Sequence, residues 1–420
     1  MGNEKRYFPA LNDVMTAEHT LKEILEPTPL LHNRTLSQKF GANVALKRED
    51  LQMVRSYKIR GAYNKIRSLT EEQREKGIVC ASAGNHAQGV AFSCNKLHIM
   101  GSIYMPVTTP RQKIEQVRMF GKEYIDIVLV GDTFDAANAA AIEYAKKSGK
   151  TFIPPFDDPK VMEGQGTIGL EILNQTEEEL DYIFVPIGGG GLASGLGSYI
   201  KAVSPNTKII GVEPGGAPCM KTAIDNGGVV ELEEIDKFVD GAAVKKAGAL
   251  TYEVCRQVLD DIVIVPEGAV CTTIIQMYNK SAIVVEPAGA LATAALSFYA
   301  DKIRGKKVAC IVSGSNNDIT RMEEIREKSL LYEGLKHYFI VNFPQKSGEI
   351  LSFIRDVIGP SDDLVYIQYI KKTNKNFGPA LIGIELAAKE DFAALTARMD
   401  KHGISYEYIN ENNKLFEILI

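Results

Sequence analysis

Asp181-Tyr-Ile-Phe-Val-Pro186-Ile-Gly188-Gly-Gly-Gly191-Leu192-Ala193-Ser-Gly195 reads as a strand, a glycine turn and the opening of a helix. The apolar run 181–186 is short and rich in β-formers, as a strand buried on both faces would be. The four consecutive glycines let the backbone fold tightly round an oxyanion at a helix N-terminus, where free N–H groups and the helix dipole favour negative charge. A purely structural loop rarely needs four, so phosphate binding is the reading taken here. These residues alone leave open which phosphate. Gly188, Gly190 and Ala193 fit GxGxxA, and Glu213 lies 20 residues beyond Ala193 at the end of a strand, which is a fair dinucleotide fingerprint. A P-loop is excluded, because no Lys-Ser/Thr pair follows the glycines.

The same strand–turn–helix unit recurs on both sides. Strands at 43–47, 77–81, 101–105, 125–130, from 151, and at 208–212, 261–265 and 307–312 are separated by helical stretches, among them 60–69, 87–97, 110–120 and 132–148. Such alternation predicts an α/β fold of βαβ units with largely parallel sheets, whose sites form at the carboxyl ends of the strands. The pattern changes near residue 330. Segment 337–343 alternates as a strand, and 349–358 sets Ile350, Leu351, Ile354, Val357 and Ile358 on one helical face. Strands at 364–370 and 380–386 follow, joined by a polar loop at 371–378. Phe392, Leu395 and Met399 mark a second helix, and 404–409 with 415–420 close the chain as strands. That order is βαββαβ, a ferredoxin-like unit of about 85 residues. A boundary is expected in the charged stretch 321–336. It divides the chain into 1–328, with a small lobe at about 49–146, and 329–420.

Composition narrows the function classes. The chain has 420 residues, 45% hydrophobic and 24% charged, which is ordinary soluble globular composition with room for two or three domains. Net charge is −5 with no Lys/Arg block, which argues against a nucleic-acid footprint. No apolar run reaches the ~18 residues of a membrane span. The start lacks the apolar core of a signal peptide, and Arg6 stands where myristoylation requires Ser or Thr. The six cysteines form no CxxC pair and suit reduced, buried thiols in a cytoplasmic protein. The scattered histidines offer no structural zinc site.

Four further segments stand out. Arg55-Ser-Tyr-Lys58-Ile-Arg-Gly61 brings a lysine into an amphipathic helix, where it is ordinarily a solvated side chain. Cys80-Ala-Ser82-Ala83-Gly84-Asn85-His86-Ala-Gln-Gly89 follows a strand. Its small residues free backbone N–H groups to face an anion, or simply make a tight turn with a helix cap. Cys310-Ile-Val-Ser313-Gly314-Ser-Asn-Asn317 is again a strand and a small polar turn, in which a lone Ser is more often a cap. Phe156-Asp-Asp-Pro159 through Glu171 reads as a loop entering a helix.

In this order the segments resemble the threonine dehydratase family, pyridoxal-phosphate enzymes with the two-lobed tryptophan-synthase β-like fold. The resemblance is carried by PTPL at 27–30, LKRED at 46–50, SYKIRGA at 56–62, SAGNHAQGVA at 82–91, FDDP and EGQGTIGLEI within 156–172, GGGGL at 188–192, GVEP at 211–214 and SGSN at 313–316. Residues from about 337 look like the single ACT-like regulatory domain of the shorter biosynthetic members. The resemblance implies roles. Lys58 would hold pyridoxal 5'-phosphate covalently and then act as the base at the substrate Cα. Gly188, Gly189, Gly190, Gly191 and Leu192 would bind the phosphate through backbone donors. Asn85 would bond the ring hydroxyl, and Ser313 the ring nitrogen. Ser82, Ala83, Gly84, Asn85 and His86 would receive the substrate carboxylate. The implied reaction converts L-threonine to 2-oxobutanoate and ammonia, the first step of isoleucine biosynthesis. Isoleucine and valine are the implied effectors, and the implied assembly is a tetramer.

Two departures matter. Tyr57 precedes the lysine where many relatives have Phe, and either ring can stack on the cofactor. In the related serine racemases a Glu, a small residue and an Asp bind a divalent metal. Here Glu213 and Ala217 fit but Cys219 replaces the Asp, so no metal is expected. Three other readings remain: serine dehydration or racemisation on the same scaffold, a nicotinamide-linked dehydrogenase built on Gly188, Gly190, Ala193 and Glu213, and a non-catalytic amino-acid sensor. The dehydrogenase reading leaves Lys58, Asn85 and Ser313 without a role.

Overall fold

The computed structural model describes residues 7–371, 375–411 and 416. The chain divides into two compact units, Met1–Ile319 and Thr320–Ile420. In the first, the strands are β1 Leu30–His32, β2 Asn43–Arg48, β3 Ile78–Ala81, β4 Gly101–Met105, β5 Ile125–Leu129, β6 Thr151–Phe152, β7 Tyr182–Pro186, β8 Lys208–Pro214, β9 Asp261–Val265 and β10 Lys307–Val312. They form two sheets. The larger runs β1-β2-β10-β7-β8-β9 and the smaller β5-β4-β3-β6. Every pairing is parallel except β1 with β2.

The strands read from apolar runs are there because both of their faces are covered. Ile183, Phe184 and Val185 of β7 have no exposed surface, nor do Ile311 and Val312 of β10. Each such side chain contributes about 1.5–3 kcal/mol by leaving water. The edge strand β1 was not read from the sequence, since its three residues are too short for any period. The sequence marks helix Pro159–Gln175 only as a loop entering a helix. It is buried from Val161 to Ile172 without a break, so it shows no apolar stripe.

The second unit holds β11 Lys336–Pro344, β12 Asp363–Tyr369, β13 Phe377–Glu385 and β14 Ser405–Tyr408 in the order β12-β13-β11-β14. All neighbours are antiparallel, which with helices Glu349–Asp356 and Asp391–Lys401 gives the expected βαββαβ order. Phe339, Val341, Phe343, Phe353, Ile382, Ile384, Leu395 and Met399 make its core. The charged stretch taken for a linker is instead the helix Met322–Tyr332. It groups with the second unit, so the division falls at 319/320 and not at 328/329. The helix forms because its charges have partners: Arg326 pairs with Glu385 at 2.8 Å, and Glu327 accepts from the Tyr338 hydroxyl at 2.7 Å. The closing strand expected at 415–420 lies outside the described residues, apart from Phe416.

Candidate active site

The turns after β3, β7 and β10 carry three of the motifs, and the segment holding Lys58 is tied to the third. The Tyr57 N–H donates to the Ser313 carbonyl at 3.1 Å, the Ser315 N–H donates to the Arg55 carbonyl at 2.9 Å, and Ser56 bridges to Gly314. Arg55 takes a left-handed φ of 57° to make this turn. Helix Lys58–Arg67 starts there, with Lys58 as its first residue. The Lys58 Nζ donates to the Pro155 carbonyl at 3.1 Å and lies 5.3 Å from the Tyr57 ring centre. Burial lowers its pKa to about 8, against the opposing pull of the Glu286 charge. This lysine is therefore not the solvated side chain of the ordinary case.

The glycine turn presents donors outward and acceptors inward. The carbonyls of Gly188, Gly189 and Gly190 accept from the Cys219 thiol, from the Gly248 N–H with the Thr251 hydroxyl, and from the Ser194 N–H respectively. Among the described residues no acceptor meets the N–H groups of Gly188 to Leu192. Glycine is required here. A Cβ on Gly189 would stand 2.4 Å from the Phe156 ring, and one on Gly190, at φ 95°, would stand 2.6 Å from Met220 Cε. Five unpartnered donors at the start of helix Gly191–Val203 are the donor set an anionic phosphate needs. The residues present thus fit pyridoxal phosphate: an amine that burial has brought near neutrality, an anion cradle, and the hydroxyl of Ser313. That residue is 2% exposed, and its hydroxyl meets no group among the described residues.

Asn85 opens helix Asn85–Leu97 after β3. Its amide is engaged at both ends, donating to Glu286 Oε1 at 2.6 Å and accepting from Asn316 Nδ2 at 2.7 Å. Ser82 turns its hydroxyl inward to accept from the Gly84 N–H at 3.2 Å. His86 is buried, and its Nε2 donates to the Ile153 carbonyl at 3.0 Å. Burial, with the Lys58 charge, lowers its pKa to about 3, so the ring stays neutral. The side chains of Ser82 and His86 thus hold the turn in shape, and Ala83 and Gly84 offer only backbone.

Sequence reasoning passed over Pro155 and Glu286, and it named Phe156, Asp157 and Asn316 only as parts of their motifs. The 156–159 motif has a structural logic: Phe156 lies against Gly189, and the Asp157 carboxylate accepts from the N–H groups of Ala249, Leu250 and Thr251. Glu213 is fully buried, and its carboxylate accepts from the Met220 and Lys221 N–H groups at 2.7 and 2.8 Å. A carboxylate so committed is not the ribose ligand of a dinucleotide site. Among the described residues no group of three or more His, Cys, Asp or Glu could hold a metal ion.

The family described as "Pyridoxal-phosphate dependent enzyme" matches residues 21–314, and that described as "C-terminal regulatory domain of Threonine dehydratase" matches 327–419. The chain is 56% identical over 410 residues to the biosynthetic L-threonine dehydratase IlvA of Halalkalibacterium halodurans, covering 98% of this chain and 99% of that one. The chain belongs to the threonine dehydratase family. Its likeness to the Bacillus subtilis biosynthetic L-threonine dehydratase is 54% over 407 residues, covering 97% and 96% of the two chains. Among solved structures, threonine deaminase isoform 2 of Solanum lycopersicum superposes with a TM-score of 0.72 at 39% identity, covering 77% of this chain and 96% of that one. Maize serine racemase superposes at 0.71 with 30% identity, covering 78% and 99%. Membership of the threonine dehydratase family accounts for both units, and no described helix is long and apolar enough to cross a membrane.

Proposed function

We propose that this chain dehydrates and deaminates L-threonine to 2-oxobutanoate and ammonia, the opening step of isoleucine biosynthesis, with pyridoxal phosphate held at Lys58. The observation that carries the reading is Lys58 itself: an amine brought to a pKa of about 8 by burial, on a segment hydrogen-bonded to the Ser313 backbone. Pyridoxal phosphate supplies an electron sink for the bond broken at Cα. Everything else falls to the chain. The N–H groups of 188–192 hold the phosphate, and the turn 82–86 receives the substrate carboxylate. Asn85 meets the ring hydroxyl and Ser313 the ring nitrogen. A hydroxyl partner brings no charge to keep a proton on that nitrogen, which favours prompt loss of the β-hydroxyl over transamination. Lys58, as free base, takes the Cα proton.

Residues from 320 onward are assigned to amino-acid effectors, with isoleucine inhibiting and valine opposing it, and the whole chain to a homotetramer. The regulatory-domain match supports the first assignment. Exposed Val365, Tyr366 and Ile367 on the edge strand β12 suit a partner subunit. A cytoplasmic location keeps its six buried thiols reduced. The test is turnover of threonine against serine, with and without isoleucine, for wild type and Lys58→Ala. The variant should keep its circular dichroism, lose the yellow chromophore and lose roughly 10²–10⁴-fold in rate, the range for a general base. Wild-type dehydration by Lys58→Ala would sink the assignment.

A further inference from the structure

Glu286 is a buried acid that no motif pointed to. It is 4% exposed and is the N-cap of helix Pro287–Ala294, yet its side chain makes no capping bond. Its Oε1 instead accepts from Asn85 Nδ2 at 2.6 Å. Backbone closes round that oxygen: a Cβ on Gly314 would stand 2.5 Å from it, and one on Gly241 3.4 Å away. Glu286 is also fixed through its main chain, since its N–H donates to the Gly314 carbonyl at 3.2 Å.

With Glu286 ionised, the partners leave Asn85 a single orientation; burial, with the Asp240 charge, raises that carboxyl to about 7. The Val54 carbonyl, which can only accept, takes a hydrogen bond from Asn316 Nδ2 at 2.9 Å and so fixes that amide. The same Nδ2 donates to Asn85 Oδ1 at 2.7 Å. At its other end Asn85 meets a carboxylate. Turning the Asn85 amide over would set oxygen against oxygen and N–H against N–H, losing a charge-assisted bond and leaving buried groups unpaired. The carboxylate comes from the large sheet's side of the unit, and Asn85 from the helix that follows β3 of the small sheet.

We propose that Glu286 is a positioning residue that holds the Asn85 amide with its second Nδ2 hydrogen left to meet the cofactor, and that it acts through Asn85. This rests on the assignment of Asn85 to pyridoxal phosphate made above. The test is the affinity of apoenzyme for pyridoxal phosphate, read by absorbance titration. Glu286→Ala should weaken it roughly tenfold, the size of one lost hydrogen bond to a charged group. Glu286→Gln keeps an acceptor without the charge and should recover affinity to within about threefold. In an Asn85→Ala background, Glu286→Ala should add less than about twofold, because the group it orients is gone.

Independent, multiplying effects of the two substitutions overturn the inference, and so does a Gln variant no better than Ala. If Glu286→Ala fails to fold while Asn85→Ala folds, Glu286 supports the fold and not the amide, and the inference falls. An Asn85→Ala protein that binds the cofactor as tightly as wild type removes the role of Asn85, and this inference with it. Wild type that takes up no pyridoxal phosphate removes the functional reading as a whole.

Discussion

A lysine amine in water is protonated at neutral pH and is then no base. Burial shifts Lys58 to about 8, and the Glu286 charge keeps it from falling further. The sign of the pH dependence follows. Above about 8 the amine is free and can accept the Cα proton, and below it a growing fraction is already protonated. The rate of threonine dehydration should therefore rise with pH through about 8, and fall less steeply below about 7, where Glu286, raised by burial, takes up a proton and its pull on Lys58 is lost. In Glu286→Gln the neighbouring negative charge is gone, so the limb should move to lower pH. A rate profile flat from about pH 6.5 to 9 would show that Lys58 is not the titrating base. His86 does not disturb the limb, since its ring is neutral down to about 3.

Helix Lys58–Arg67 holds Lys58 in place because its first turn is anchored by charge. Arg60, 1% exposed, pairs with Glu49 at 2.8 Å and with Glu171 at 2.6 Å, while Lys47 donates to Glu171 and to the Thr28 carbonyl. Glu49 also accepts from the Thr28 hydroxyl. Arg60→Met should cost about 3–5 kcal/mol, because it removes the guanidinium that two buried carboxylates share. Urea unfolding measures it, and a loss below ~1 kcal/mol would mean that water replaces the guanidinium. Four motifs meet in this network: PTPL, LKRED, SYKIRGA and the stretch ending at Glu171. Each could be read from the sequence as a segment, but their meeting could not, since Lys47 and Glu171 are 124 positions apart. The β-rich runs were legible because parallel strands buried on both faces are continuously apolar. Glu286 was illegible for a local reason. A Glu before Pro at a helix start looks like ordinary helix chemistry, and only the fold brings it to Asn85.

At the scale of the whole chain, two units with separate cores imply separable tasks. The second has its own sheet and its own apolar cluster. Helix Met322–Tyr332 goes with it: Ile325 is fully buried, and Glu327 takes both the Lys336 ammonium and the Tyr338 hydroxyl. A cut near residue 330 would therefore strand most of a helix without its partners, whereas a cut after Ile319 removes the unit whole. Regulation requires that an effector bind two states of the enzyme unequally, with typical coupling of about 1–3 kcal/mol, or roughly 5–150-fold in affinity. If the second unit carries the effector site, the chain ending at Ile319 should dehydrate threonine within about threefold of the full-length rate and give a saturation curve that isoleucine does not move. Full-length enzyme under the same titration should lose apparent threonine affinity by a factor in that range. The shortened chain can also report on assembly, because removing the exposed apolar edge of β12 should lower its order of association in analytical ultracentrifugation. Inhibition of the shortened enzyme at the same isoleucine concentration would place the effector site in the first unit and leave the second without a regulatory role.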